Sequence, residues 1–180
     1  MAGTTVFNHT ESRLSHKIVE GVFTFDSSYP AGGELITDLS TRIERATRVD
    51  FYDTAGYILD FDVETQKVVV KSNLHTYTAS VDPASAATDA IADLAVTVTG
   101  VEAGDIILPV PAADVESGVI PVVAIATTDT VTLRLSNPTA GTVNGAAKTW
   151  TFHALTATPR EIVAATNLST LAVKFRAYGA

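Results

Sequence analysis

The sequence contains no cysteine and only one methionine and one tryptophan in 180 residues. Without cysteine the chain forms no disulfide, and thiolate chemistry and cysteine-ligated metal sites are excluded. Charged residues are also sparse, at 18% of the chain, whereas apolar residues make up 46%. This composition is too apolar for a disordered chain, and it predicts a folded protein with a substantial core.

Long apolar runs are missing as well. No segment approaches the ~20 apolar residues that a membrane-spanning helix needs, so we predict no membrane partner. The first seventeen residues are polar and lack the hydrophobic segment of a secretion signal, which predicts synthesis in the cytoplasm.

Basic residues are few, with 12 Lys and Arg against 20 Asp and Glu, and the net charge is −8. The imbalance is concentrated in residues 82–156, which hold eight acids and two bases, a net charge of −6. Phosphate backbones require Lys and Arg for neutralisation, so we predict no nucleic-acid partner.

The pattern that is present is one of short strands separated by turn residues. Short strands at regular spacing predict an all-β fold, either a sandwich or a barrel. One short helix is expected within residues 34–46, where Leu35, Leu39 and Ile43 recur four apart. The predicted strands are 18–26, 49–52, 57–62, 67–71, 95–99, 105–110, 119–126, 130–136, 149–155 and 171–178.

Motifs for catalysis or cofactor binding do not occur. The four histidines lie at positions 9, 16, 75 and 153, with none of the spacings typical of metal sites. Asp60, Asp62 and Glu64 alternate along one strand, and calcium binding is the alternative to a solvated strand face, although the glycine and final glutamate of a calcium loop are absent. We therefore predict a protein that is not an enzyme and that needs no cofactor or metal.

Two regions contain candidate contact residues. Residues 1–16 have no clear period and predict an extended N-terminal arm, with a frayed terminus as the alternative. Val6, Phe7 and Leu14 are the apolar side chains with which such an arm would anchor to a partner. Tyr29 and Pro30, in an ordered turn, are the second candidate because aromatic residues are enriched at interfaces. Trp150 alternates with Phe152 and is predicted to be core.

Three arginines form a third candidate. Arg42, Arg45 and Arg48 recur every three residues, so on a helical turn they would share one face. That face would suit an acidic partner surface, and an exposed charged face without a partner is the alternative interpretation.

Several segments resemble proteins of tailed bacteriophages. Residues 21–34, GVFTFDSSYPAGGE, with the later strand GYILDFD (56–62) and the closing strand NLSTLAVKF (167–175), resemble small virion-associated proteins. Residues 101–152 are similar to another phage structural module, through AGD (103–105), RLSNPTAG (134–141) and TWTF (149–152).

The resemblance implies a particular domain organisation. Residues 17–81 and 157–180 would form a discontinuous β-sandwich or jelly-roll-like base, and residues 82–156 an inserted acidic β-domain. Insertions of this kind are tolerated at exposed turns. A single jelly-roll sandwich that uses all the strands is the alternative.

The same resemblance implies a function. We expect a capsid decoration (cement) protein, made in the host cytoplasm, that binds the outside of the phage head as a homotrimer. Its partners would be the major capsid protein and other copies of itself. The competing functions are a neck, tail or head-fibre component and a receptor- or glycan-binding module.

Overall fold

The computed structural model describes residues 3–13, 16–83, 86–111, 119–144 and 146–180. Strands make up 59% of the structure and helix 2%, which confirms the all-β prediction, while the sandwich or jelly-roll arrangement stays a prediction. No helix among the described residues has the length and hydrophobicity to span a bilayer. The elements are β1 (Thr4–Arg13), β2 (His16–Thr24), β3 (Glu34–Leu35), α1 (Leu39–Arg42), β4 (Ala46–Tyr52), β5 (Ile58–Asp62), β6 (Lys67–Val81), β7 (Ile91–Thr97), β8 (Ile106–Val110), β9 (Ile120–Thr127), β10 (Thr130–Ser136), β11 (Lys148–Glu161) and β12 (Ala172–Gly179).

The chain divides into two compact units. The first consists of Met1–Ser72 with Pro159–Ala180, and the second of Asn73–Thr158. Both boundaries fall inside strands, one in β6 and one in β11. The boundaries drawn from the sequence, after residues 81 and 156, lie elsewhere because no turn residue marks a point inside a continuous strand.

The first unit contains an antiparallel sheet with strand order β1-β2-β12-β4. Alternation along β12 explains its position, because Val173, Phe175 and Ala177 are buried while Lys174 and Arg176 are exposed. The buried side chains join those of β2 and the following turn in one apolar core.

The predicted N-terminal arm is wrong for Thr4–Arg13, because these residues form β1 and pair antiparallel with β2. A bulge between Phe7 and His9 shifts the register. Among the described side chains of β1, Phe7 is the one that packs against the apolar core, with its ring edge-to-face on Phe175 at 6.3 Å between centroids. The bulge and the single apolar contact remove the alternation by which a strand is recognised in a sequence.

Glu34 holds the start of β1 in place from within the core. Its side chain is buried and accepts hydrogen bonds from the backbone N–H groups of Gly3 and, at 3.4 Å, of Asp26. Burial raises the pKa of Glu34 above its ordinary value of 4.5, although both N–H groups favour the charged form. The carboxylate thus links the N-terminal strand to the turn that follows β2.

The raised pKa of Glu34 predicts a pH-dependent stability. Because the pKa of Glu34 is higher in the folded than in the unfolded state, its side chain contributes stability that is fully present below about pH 4.5. This contribution is lost as the pH rises through the folded-state pKa. We therefore expect the difference in unfolding free energy between the wild type and Glu34→Gln to fall over that window and then level off. Denaturant unfolding of both proteins at a series of pH values measures this difference in free energy. A difference that does not change with pH would contradict the raised pKa of Glu34.

The predicted helix exists, but it is one turn long. Leu39 and Ile43 are buried as expected, whereas Leu35 lies in β3 and is 52% exposed. Asp38 precedes the helix with a φ of 60° and makes no side-chain cap. The spacing of four therefore identified two of the three residues that were expected to share a helix face.

The second unit contains a sheet with order β7-β10-β9, and β8 pairs with β11 in the other sheet. Side chains of β10, including Val131 and Leu133, are buried in one core together with Trp150 and Phe152 of β11. Trp150 is 2% exposed, so the prediction that it is a core residue is confirmed.

Candidate interaction surface

Large aliphatic side chains project into solvent from β8. Ile106, Leu108 and Val110 are between 40% and 69% exposed, whereas the intervening Ile107 packs against the core. Leu155 of β11 lies directly opposite Ile106 and is also exposed. We call Ile106, Leu108, Val110 and Leu155 the β8 face.

A second set of exposed aliphatic side chains lies on β9. A register shift in the pairing of β9 with β10, between Arg134 and Leu135, leaves both Val122 and Val123 exposed. Ile120 and Ile125 are exposed on the same strand. We call these four residues the β9 face, because they present one kind of chemistry: branched aliphatic groups with no charge between them.

The two faces are large for a monomer. Each face exposes apolar surface on the order of 300 Å², which is the size of the largest apolar patch on a typical monomer. The sequence carries a signal for these faces in the composition of the two strands. The segments 106–110 and 120–127 contain no charged residue, and strands that are apolar at every position are typical of sheets covered on both sides.

Both strands are edge strands, and each contains a proline. Among the described strands, β8 hydrogen-bonds to β11 and β9 to β10, so one edge of each strand has no ladder partner, although β8 and β9 contact each other. Pro109 and Pro121 lie within these strands and lack an N–H group, which removes a donor and opposes the addition of a further strand. A partner is therefore expected to cover the side chains of these strands rather than extend their sheets.

The sequence around the two strands is acidic. Residues 72–133 contain eight acids and no Lys or Arg. Two of these acids organise turns, since the Asp129 carboxylate accepts the Gly100 N–H at 2.7 Å and that of Asp105 accepts the Glu102 N–H at 3.0 Å. The negative charges thus lie outside the strand segments that form the faces.

One ion pair lies next to the β9 face. Arg134, opposite Val123, donates to both carboxylate oxygens of Asp93 at 2.8 Å. This hydrogen bonding lowers the pKa of Asp93 below its ordinary value. The positive charge of Arg134, beside the β9 face, is therefore neutralised by the carboxylate of Asp93.

Tyr29, predicted to be an interface residue, is a core residue, so that prediction is wrong. Its ring is 1% exposed, its hydroxyl donates to the Glu161 carboxylate at 2.9 Å, and it accepts the Val70 N–H at 3.0 Å. Burial holds the pKa of Tyr29 well above its usual range, so the hydroxyl remains a donor. Of the predicted pair, Pro30 alone is exposed.

The apolar residues of the predicted arm are divided by the structure. Val6 is 58% exposed on β1, whereas Phe7 packs on Phe175 and lies under the guanidinium of Arg42, 5.3 Å from its ring centre. Phe7 is thus partly used within its own chain. Leu14 lies outside the described residues.

The three arginines do not share a helix face, so that prediction is wrong. Arg42 ends α1, Arg45 follows it and Arg48 lies in β4, because the chain leaves the helix at Ile43. Arg45 donates to the Val63 carbonyl at 3.2 Å, and Arg48 pairs with Asp50 at 2.7 Å. All three are exposed, but they belong to different local structures.

The alternating carboxylates of β5 serve the hairpin that joins β5 to β6. Asp60 pairs with Lys71 at 2.8 Å, and Asp62 accepts the N–H of Glu64 at 2.8 Å and the hydroxyl of Thr65 at 2.7 Å. These hydrogen bonds, that of the Thr65 hydroxyl first, lower the pKa of Asp62. Within the described part of the chain, no group of three or more His, Asp or Glu side chains is placed to hold a metal ion.

No protein-family model, curated protein or solved structure matches this chain. The β8 and β9 faces are therefore the features that indicate a function. Exposed aliphatic patches of this size are often functional on monomeric proteins.

Proposed function

We propose that this chain is a structural subunit of a tailed-phage head, a decoration protein that binds the outside of the shell and stabilises contacts between capsid subunits. The observation that carries the proposal is the pair of exposed aliphatic faces on β8 and β9. The burial of such side chains by another protein surface removes them from water and lowers the free energy of the complex.

The resemblance to phage virion proteins supports the proposal through residues that build the fold. Its first segment includes Phe23, Phe25 and Tyr29, and its closing segment includes Val173 and Phe175, all of them buried in the core of the first unit. Core residues are what two proteins of one fold share most readily, since they determine packing. The shared segments thus favour a common fold.

A decoration protein acts by mass action. A subunit that binds the assembled shell, and not its separated components, lowers the free energy of the shell by an amount set by its concentration and affinity. The acidic second unit, with a net charge of −6 over residues 82–156, would keep a crowded particle surface soluble.

Copy number in purified particles tests this function. Quantitative mass spectrometry of the phage that encodes the chain is expected to find hundreds of copies per head. Particles that lack the protein are expected to lose their DNA at a lower temperature than complete ones. About a dozen copies or fewer would contradict shell decoration and indicate a neck, tail or head-fibre component.

A glycan-binding module is the less favoured alternative. Such modules present exposed aromatic rings to sugars, and the one tryptophan of this chain is buried in the core of the second unit. The exposed faces are aliphatic, which suits protein contact.

A further inference from the structure

The β8 face continues across two neighbouring strands of its sheet. Leu108 lies opposite His153 of β11. On the other side of β11, the Thr76 hydroxyl of β6 is 3.1 Å from Nδ1 of His153. Alternation along the two strands then places Leu74, which is 58% exposed, beside Leu155. We call the side chains on this side of the three strands the sheet face: Leu74, Thr76 and Thr78 of β6, Thr151, His153 and Leu155 of β11, and Ile106, Leu108 and Val110 of β8.

The nine side chains of the sheet face include no Asp, Glu, Lys or Arg. Lys148, at the start of β11, alternates with these side chains and so lies on the side of the buried Trp150. The other sheet of the second unit differs, because Arg134 and Asp93 form their ion pair at exposed positions next to the β9 face. The charge-free area is therefore broader on the sheet face than beside β9.

Acidic residues lie at both ends of the sheet face. At the end formed by Leu74 and Ile106, the turn before β8 contains Glu102 and Asp105, and the Asp105 carboxylate accepts the Glu102 N–H at 3.0 Å. At the opposite end, the exposed Asp82 directly follows β6. No Lys or Arg occurs between positions 72 and 133. The ends of an uncharged face are thus negative.

We infer that the sheet face is the surface with which the chain binds the shell, and that the shell presents there an aliphatic area bordered by Lys or Arg. The inference rests on the proposed function and adds to it the surface and the chemistry of the partner. A charge or an unpaired polar group of the partner would lose its hydration at the aliphatic centre, so the partner surface must be aliphatic there too. Basic groups at the border complement the acidic ends and disfavour other partners.

Like charges oppose a second copy as the occupant. When two sheet faces are aligned, in the same or in the opposite direction, an acidic end of one copy meets an acidic end of the other. Pro109 of β8 lacks an N–H group and opposes an extended peptide that would add a strand. The occupant that the face fits is therefore the side of a folded protein with basic residues.

The area suits one specific contact. The five aliphatic side chains expose on the order of 400 Å², and the threonines and the imidazole bring the face to roughly 600 Å². Specific interfaces begin at about 1,200 Å² for both partners together, or about 600 Å² for each. Because little area is in excess, a charge in the central row of Leu108, His153 and Thr76 is expected to have a large effect.

Binding to heads that lack the protein tests the surface. Heads of the phage that encodes the chain, prepared without it, are titrated with the full chain, and the bound protein is measured after sedimentation of the heads. Leu108→Asp places a charge in the central row and is expected to weaken binding at least about thirtyfold. Leu108→Ala removes the side chain without adding a charge and is expected to weaken binding by roughly three- to tenfold.

Leu35→Asp is the matched control. Leu35 is exposed on β3 in the first unit, and the same substitution there is expected to leave binding unchanged. Fluorescence of Trp150, in the core of the second unit, reports that the Leu108 variants are folded. Wild-type binding by Leu108→Asp, or an equal loss for Leu35→Asp, would overturn the inference.

Charge reversal at the border tests the chemistry of the partner. Glu102→Lys is expected to weaken binding by roughly two- to fivefold, and this difference is expected to shrink as salt screens the charges. Glu64→Lys makes the same change in net charge at an exposed position of the first unit and is expected to have no effect. Tighter binding of Glu102→Lys would indicate an acidic border on the shell and overturn the inferred basic one.

The same measurements separate the inference from the proposed function and from self-association. A wild type that does not bind heads contradicts the decoration function and the inference with it. A wild type that binds, together with Leu108→Asp that binds equally well, overturns the inference and leaves the function standing. In sedimentation velocity without heads, Leu108→Asp is expected to have the mass of the wild type, and a lower mass would show that a second copy covers the face instead of the shell.

Discussion

Asn137→Asp is expected to destabilise the second unit by roughly 3–5 kcal/mol, because it places a buried negative charge against carbonyl oxygens that the Asn137 amide now satisfies. The Asn137 side chain is fully buried. Its amide nitrogen donates to the carbonyl oxygens of Ala86 at 2.9 Å, Ala87 at 3.0 Å and Gly141 at 2.9 Å. A carboxylate at this place would donate nothing and would face three carbonyl oxygens.

The single tryptophan makes this loss measurable. Trp150 lies in the core of the second unit, so the fluorescence change on denaturant unfolding reports on that unit. The midpoint for Asn137→Asp is expected to shift to a much lower denaturant concentration. An unchanged midpoint would show that the Asn137 amide does not hold the segment around Ala86 against the loop at Gly141.

Asn167 provides the matched control. Its side-chain oxygen accepts hydrogen bonds from the Ser169 N–H at 3.0 Å and the Ser169 hydroxyl at 2.8 Å, and the residue is exposed. An aspartate accepts both bonds equally well, so Asn167→Asp is expected to change stability by less than ~0.5 kcal/mol. The same substitution is therefore severe where asparagine donates and mild where it accepts.

Tyr29→Ala is expected to destabilise the first unit by roughly 3–5 kcal/mol, the usual cost of removing a buried aromatic ring. Tyr29→Phe keeps the ring but removes the acceptor of the Val70 N–H and the donor to Glu161, so we expect it to lose about 1–3 kcal/mol. Hydrogen exchange in β2 and β12, two strands of this unit, measures both losses.

Tyr52 is the control for Tyr29. It is 46% exposed on β4, and Tyr52→Ala is expected to have a small effect on stability. The oligomeric mass of Tyr29→Phe is expected to equal that of the wild type, since the residue is buried within its own chain. A loss of association without a loss of stability would restore Tyr29 to the interface role that its sequence context suggested.

Much of the fold could be predicted from the sequence because strands end at turn residues. The strand predicted at 130–136 is β10, and that at 119–126 differs from β9 by one residue at each end. Alternation also predicted that Trp150 is buried. These are local properties, since the backbone pleat alone determines which side chains share a face.

The candidate site could not be predicted in this way. Tyr29 looked like an exposed aromatic residue because it lies between turn residues, and its burial results from contacts with Val70 and Glu161, which are remote in sequence. Conversely, residues 105–110 were predicted as a strand with no assignment of its exposed side. Its exposed face exists because no described part of the chain packs over Ile106, Leu108 and Val110, and the packing of layers is a property of the whole chain.

Local sequence patterns were sufficient to predict the all-β class, the positions of most strands and the concentration of negative charge in residues 82–156. The folded chain was needed to show that Thr4–Arg13 pairs in a sheet, that Arg42, Arg45 and Arg48 lie in different local structures, and that the β8 and β9 faces are exposed. The physical reason is that periodicity assigns side chains to one face or the other, whereas long-range pairing decides which face and which edge another element covers.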